Sequence, residues 1–367
     1  MSNSGRRDFL NPLKAIRAFR DESSEPEVAT PSPPLVDSPE LDEDALLYVS
    51  RPAMACTFQI YFSASAGDET TETAIEALEL LEQLENQMTV YRDSPMTYIN
   101  DVAGSEPTRV EQRLFQLIQK GIELHEKTEG AFDITSGLLS KAWGFFRKQG
   151  RVPEQSEIDS VLQNVGSHRI RVNDEEETVF YEAQELEINL GAIGKGHALD
   201  RISEFMQQSG MDDFLIHGGQ SSVLSRGYRW LSPESDKSSD EPWRVGLRHP
   251  LHADKRIAVL KIRDKALGTS GTARQSFYHK GKRYGHIIDP RTGQPATGVY
   301  SATALAPTAA EADALATAFY VMGGEAAVKF CRENSEYSCL ILSPGKSGDV
   351  RIDREGIDDD DLEFTKE

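Results

Sequence analysis

Four stretches of this chain gather residue types that can do chemistry. In Ile188-Asn189-Leu190-Gly191-Ala192-Ile193-Gly194-Lys195-Gly196 the pattern is a strand end passing through glycines into a helix. Glycines there let backbone approach a ligand closely. The free N–H groups of the helix start favour phosphate, and Lys195 adds a full charge. By itself the segment is a weak signal, since such turns are common without a ligand, and the Lys-Ser/Thr pair of a P-loop is missing. Phe214 to Ser222 is a second strand, running into Gly218-Gly219. It reads equally well as a ligand-facing floor or as a tight turn or bulge. The third stretch is Leu267 to Arg274, followed by Tyr284 to Gly293. His286, Asp289 and Arg291 could position a phosphate or relay a proton. Asp-Pro-Arg-Thr-Gly is also turn chemistry in its own right, and a strand-borne His286 would suit a core. In the fourth, Pro307 to Ala318, Asp313 and Thr317 are four residues apart and share a helix face. With a carbonyl from a neighbouring loop they would form a hard oxygen set suited to Mg²⁺. Taken alone, an aspartate in solvent on an alanine-rich helix is the plainer reading.

These residues need elements to hold them. Apolar periodicity predicts helices over about Thr70 to Met88, with Ile75, Leu78, Leu81 and Leu84 inward, and over Val110 to Lys127, Gly196 to Gln208 and Ala309 to Met322. Strand-like runs are Thr57–Phe62, Phe214–His217, Trp243–Arg248, Ile257–Ile262, His286–Ile288 and Ser338–Leu342. Short turns between several of them imply antiparallel pairing, so the expected class is α+β. Residues 1–46 divide from the rest: a basic arm, then a Glu/Ser/Pro/Asp-rich linker expected to be disordered. An ordered domain is expected over 47–346, an exposed loop at Ser232–Asp240, and a frayed acidic tail over 347–367.

With 40 Lys+Arg against 60 Asp+Glu, the net charge of −20 argues against nucleic acid and against anionic lipid. Three cysteines, Cys56, Cys331 and Cys339, have no metal spacing and cannot build a disulfide framework. No run is long and apolar enough to span a membrane. Arg6-Arg7-Asp8-Phe9-Leu10 has the core of a twin-arginine signal, but the charged residues after it provide no apolar h-region, so a cytoplasmic location is expected.

The order of the four stretches is more specific than any one of them. His286-Ile287-Ile288-Asp289-Pro290-Arg291-Thr292-Gly293, followed by Pro307-Thr308-Ala309-Ala310-Glu311-Ala312-Asp313-Ala314-Leu315-Ala316-Thr317, resembles the ApbE family of FAD:protein FMN transferases. Gly130-Ala131-Phe132-Asp133-Ile134-Thr135-Ser136-Gly137 and Gly191–Asp200 extend the likeness over roughly 50–345. The resemblance implies a T-shaped α+β flavin-transferase fold with mixed, largely antiparallel sheets. It implies FAD contacts at Met54, Tyr91, Ala131, Phe132, Asp133, Asn189 and Lys195. It implies Mg²⁺ ligands at the Ala192 carbonyl, Asp313 and Thr317, and proton transfer by His286 or Asp289. The implied reaction moves FMN from FAD to a Thr/Ser hydroxyl of an acceptor flavoprotein, plausibly of an electron-transfer system, and releases AMP. Asn189, Gln220 and Thr272 stand where the family often has aspartate, and Met54-Ala55-Cys56-Thr57 departs from Met-Gly-Thr. The metal ligands are intact, while the acid–base set is altered. A Mg²⁺-dependent FAD pyrophosphatase, or a non-catalytic FAD-binding homologue, would show the same motifs.

Overall fold

Alternating side chains decide which way each strand faces, and here that alternation builds two cores around one sheet. The computed structural model describes residues 46–63, 66–229, 241–252, 254–271, 275–346 and 348–365. Of the arm and linker expected over 1–46, residues 1–45 lie outside the described residues, as do the Ser232–Asp240 loop and Thr272, while Leu46 already belongs to a strand.

The hairpin β1 (Leu46–Ala53) and β2 (Cys56–Ser63) is followed by α1 (Asp68–Met88), α2 (Pro95–Val102), β3 (Thr108–Arg109) and α3 (Gln112–Lys127). Helices α4 (Gly137–Ala142) and α5 (Gln155–Leu162) precede β4 (Ile170–Asn173) and β5 (Thr178–Tyr181). Helix α6 (Gly194–Gln208) leads into the hairpin β6 (Phe214–Gly218) and β7 (Ser222–Arg226). Then come β8 (Trp243–Arg248), β9 (Arg256–Ile262), β10 (Ala266–Gly271), β11 (Ser276–His279) and β12 (Lys282–Gly285). Strands β13 (Ile288–Asp289), β14 (Gln294–Pro295) and β15 (Ser301–Ala306) lead to α7 (Ala309–Met322) and α8 (Gly324–Glu333). The chain closes with β16 (Ser338–Pro344), β17 (Val350–Glu355) and β18 (Leu362–Phe364).

Eight strands form the central sheet, in the order β1-β2-β6-β7-β10-β15-β16-β17, and their pairings are antiparallel. Phe214, Ile216, Ala302, Ala304, Cys339 and Ile341 face the helices and join one core with α1, α3, α6 and α7. Their neighbours Leu215, Leu305, Leu340 and Leu342 face the other way. There they pack on Trp243, Val245, Leu260 and Leu362 of the smaller sheet β18-β9-β8. Each fully buried Leu or Phe in these layers contributes about 1.5–3 kcal/mol.

The small residues on the helix side have a positional purpose. A Cβ on Gly268 of β10 would lie 2.2 Å from the Ala312 carbonyl oxygen, so α7 rests directly on the sheet. Helix α7 is buried on nearly all sides, which explains why its sequence lacks a polar face. Two expectations are corrected. Ile75 is 48% exposed, because the inward stripe of α1 runs through Ala74, Ala77, Leu78 and Leu81. Residues 348–365 are not frayed: β17 pairs with β16, β18 pairs with β9, and Leu362 is buried. Their apolar alternation is short and hidden among acids, which is why composition alone misreads it.

Candidate functional site

The turn before α6 is built by its own side chains. Asn189 donates its backbone N–H to the Ile134 carbonyl at 2.7 Å, tying the turn to the Gly130–Gly137 stretch. Its side-chain oxygen accepts the Gly191 N–H at 2.9 Å, an Asx turn that an aspartate would make equally well. Gly137 leaves room for Asn189, since a Cβ there would sit 2.8 Å from the Asn189 Cβ. Ala192 lies half-buried in this turn, just ahead of α6.

Helix α6 then meets α7 backbone to backbone. A Cβ on Gly196 would fall 2.0 Å from the Ala309 carbonyl oxygen. That closeness delivers Asp313 to the start of α6. The Gly196 N–H donates to Asp313 Oδ2 at 2.8 Å. Lys195 Nζ lies 3.4 Å from the same oxygen and donates to Ser222 Oγ at 3.1 Å. Asp313 is 6% exposed. Burial pushes its carboxyl up, while Lys195, Ser222 and the Gly196 amide pull it down. One turn later, Thr317 Oγ1 donates to the Asp313 carbonyl at 3.3 Å and stands 3.1 Å from Ser270 Oγ. Lys195, Asp313 and Thr317 are thus brought together as the sequence suggested. Ser222 and Ser270 were not read from the sequence. Their signal was only a position just after Gly218-Gly219 and just before Gly271.

The donor set is made of hard oxygens around one carboxylate. Among the described residues no group of three or more His, Cys, Asp or Glu could hold a metal by itself. Such a set fits Mg²⁺, which is usually held by one or two carboxylates together with substrate phosphates. It does not fit a soft metal. The Lys195 ammonium beside the same carboxylate adds a condition: a second cation is stable there only with further negative charge, which a diphosphate supplies.

The Gly130–Gly137 stretch is organised from within. Asp133 is 4% exposed. Its oxygens accept from Thr135 N–H at 2.7 Å, Thr135 Oγ1 at 2.6 Å and Ser167 Oγ at 2.7 Å. His125 Nδ1 lies 2.9 Å away. Ala131 and Phe132 are also buried, while Ser136 is half-buried. The Asp133 carboxylate braces this loop from within. Met54 has φ 50, and its N–H is fixed by Glu85 at 2.8 Å. Tyr91 is 72% exposed and stacks on Phe146 with centroids 4.7 Å apart, leaving an aromatic face in solvent.

His286 lies in a bend after β12, not on a strand. Its Nδ1 is 3.1 Å from the Gln275 carbonyl, an acceptor only, so Nδ1 carries the proton and Nε2 keeps its lone pair. Burial holds its pKa below the ordinary histidine value, opposed by that hydrogen bond. Asp289, expected as a candidate base, is instead chelated by Arg291, whose Nε and Nη2 both donate at 2.9 Å. The Arg291 N–H adds a third bond at 3.0 Å, so Asp289 holds the Asp-Pro-Arg-Thr-Gly turn. That turn sits against the start of the Gly130–Gly137 stretch: a Cβ on Gly130 would lie 3.4 Å from Arg291 Cγ. Among the described residues no hydrogen bond or ion pair joins His286 or Asp289 to the Lys195–Asp313 cluster. Gln220 sits at φ 64 in the β6–β7 turn, and its side-chain oxygen accepts from Arg248 Nη2 at 3.2 Å. A groove of about 660 Å³ between α3 and α6 is lined by Arg113, His197, Asp200 and Arg226, and Asp313 is not part of its wall.

The chain is similar to known proteins. Residues 54–341 match the model of the ApbE family. The FAD:protein FMN transferase of Escherichia coli (strain K12) is 30% identical over 288 residues, which is 75% of this chain and 80% of that protein. The FAD:protein FMN transferase of Vibrio cholerae is 30% identical over 305 residues, covering 81% and 87%. Among solved structures, the ApbE protein from Thermotoga maritima aligns with a TM-score of 0.74 at 29% identity, covering 84% of this chain and 97% of that one. The flavin transferase ApbE from Vibrio cholerae aligns at 0.72 and 27% identity, with the same coverage.

Proposed function

The chain belongs to the ApbE family, and from that premise we propose that it is a FAD:protein FMN transferase that moves FMN from FAD onto a Ser or Thr hydroxyl of an acceptor flavoprotein. The observation that carries the reading is the buried Asp313 carboxylate, held between the start of α6, Lys195 and Ser222. It gathers a fixed negative charge and a fixed positive charge within one small space at the start of a helix, as a metal-bound diphosphate ester requires.

In the proposed reaction the acceptor oxygen bonds to the FMN phosphorus of FAD. The bond from that phosphorus to the bridging oxygen breaks, and the bridging oxygen leaves with AMP. The hydroxyl proton passes to a base, for which His286 Nε2 is the available lone pair. Lys195 would face the negative charge that moves during transfer. Asp313, Thr317 and the Ala192 carbonyl would hold Mg²⁺, which supplies charge neutralisation at the diphosphate when bound. The exposed Tyr91 face and the Met54 turn would receive the flavin. The acceptor is proposed to belong to an electron-transfer system, and the compartment to be the cytoplasm.

The test incubates the chain with FAD, Mg²⁺ and a candidate acceptor domain, then reads flavin fluorescence on the denatured acceptor. Covalent, Mg²⁺-dependent labelling is expected. Free FMN and AMP with an unlabelled acceptor would instead identify a pyrophosphatase, and FAD binding without turnover a non-catalytic binder.

A further inference from the structure

We infer that Asp200 is a positioning residue, which sets the register of α7 against α6 and through it the place of Asp313 and Thr317. This rests on the transferase reading of that site. The Asp200 side chain leaves α6 and accepts both first amides of α7, Ala309 N–H at 2.7 Å and Ala310 N–H at 2.9 Å. The next amide, Glu311 N–H, is held by Thr308 Oγ1 at 3.3 Å, and the regular helix bonds begin with Ala312 N–H to the Thr308 carbonyl at 3.1 Å. The first three amides of α7 therefore have side-chain partners, and Asp200 supplies two of them.

The bond in the other direction makes the arrangement reciprocal. Asp200 on α6 caps α7, and Asp313 on α7 accepts the Gly196 N–H near the start of α6. Each helix closes the other's N-terminus, and each carboxylate sits where the partner's helix dipole favours it. The interface between these clamps is smooth. Gly196 meets the Ala309 carbonyl and the Ala310 nitrogen with no side chain between them. Helix packing is normally keyed by ridges in grooves. Glycine and alanine give shallow ridges, so polar clamps must fix the sliding position. Asp313 lies one turn beyond the Asp200 clamp, and a slide of α7 moves Asp313 and Thr317 by the same distance. A misplacement of about 1 Å in such a site can lower rate by about a hundredfold.

The experiment compares wild type, Asp200→Asn, Asp200→Ala and Asp313→Ala in the full chain, with FAD present. Burial raises the Asp200 carboxyl to about 7 against the pull of its two amides, so the work is done near pH 8, roughly a unit above it. Three quantities are read: Mn²⁺ binding from loss of the free-ion EPR signal, the Mg²⁺ half-saturation and kcat of labelling, and the thermal midpoint. Asp200→Asn keeps the side-chain shape and one acceptor oxygen, so it serves where Asp200→Ala fails to fold. The expected result is metal affinity weakened about tenfold or more by Asp200→Ala, less by Asp200→Asn, the scale for residues that orient ligands. Folded Asp200 variants with a lowered melting point but wild-type metal affinity and kcat would reduce Asp200 to a helix cap and overturn the inference. Wild-type metal binding by Asp313→Ala, or none by wild type, would overturn the transferase reading of the site itself.

Discussion

At the scale of single residues the site depends on two groups with different duties. Asp313 is the lone buried carboxylate of the cluster, so its loss removes the charge around which Lys195, Ser222 and the Gly196 amide are arranged. Asp313→Ala is expected to lower acceptor labelling by about a hundredfold or more, the magnitude seen when one electrostatic partner of a transition state is deleted. Labelling at the wild-type rate would remove Asp313 from the chemistry. His286 is held neutral by burial, its pKa below the ordinary value of 6.5. If its Nε2 takes the hydroxyl proton, the rate falls only when the pH drops below that ordinary range, and His286→Gln loses this acid limb. A variant with an unchanged pH–rate profile would exclude His286 as the base. Asp313, Thr317 and Lys195 were singled out by the family resemblance, since helix spacing alone put Asp313 and Thr317 on one face and left solvent exposure as the plainer reading. Ser222 and Ser270 were not, since each reaches the site only through strand pairing that no local pattern encodes. The Arg291 fork on Asp289 was not legible either, because it depends on how the Asp-Pro-Arg-Thr-Gly turn folds.

At the scale of elements, two packings decide whether those residues meet. The contact of α6 with α7 leaves no space at Gly196. Gly196→Ala forces the helices apart, because the neighbour is backbone rather than a flexible side chain. It is expected to cost about 1–3 kcal/mol of stability and to abolish labelling, checked by thermal denaturation and the fluorescence assay. A variant with the wild-type melting point and labelling would show that the two helices can separate freely. The Gly130–Gly137 stretch depends on the His125–Asp133 pair. Burial works against both charges, yet Asp133 raises His125 above 6.5, and His125 and Thr135 bring Asp133 below 3.8. The histidine's contribution is full below 6.5 and is lost as pH rises through its raised folded value. The aspartate's is full above 3.8 and is lost as pH falls through its lowered folded value. Thermal stability is therefore expected to be greatest between these limits, and His125→Gln should flatten the decline on the alkaline side. An identical alkaline slope in that variant would mean the pair does not hold the loop. Helix periodicity made α1, α3 and α6 readable, and α7, which lacks a polar face, was marked by its alanine-rich run and the Gly323-Gly324 stop. The short α2, α4 and α5 span too few turns to show a period, and they escaped notice.

At the scale of the whole molecule, the central sheet works because both its faces are covered, and the second cover comes from the end of the chain. Helices protect one face, and β8, β9 and β18 protect the other. Composition made residues 347–367 look like a solvated acidic tail, since Asp358 to Asp361 dominate it. What composition hides is that Ile352, Ile357 and Leu362 pack into the second core, and that β17 completes the eight-stranded sheet. Removing residues 348–367 would strip β17 from β16 and β18 from β9. The exposed β16 and β9 edges would then offer unpaired backbone to other chains. Burial of Leu362 alone is worth about 1.5–3 kcal/mol, and the lost strand pairing adds to it. Truncation after Lys346 is therefore expected to lower the melting point and promote aggregation, even though every residue of the Lys195–Asp313 cluster remains. Replacing Asp358 to Asp361 with asparagine should leave the melting point within a few degrees, because these side chains are exposed. A truncated chain that melts with wild type would show that the second core closes without its last two strands.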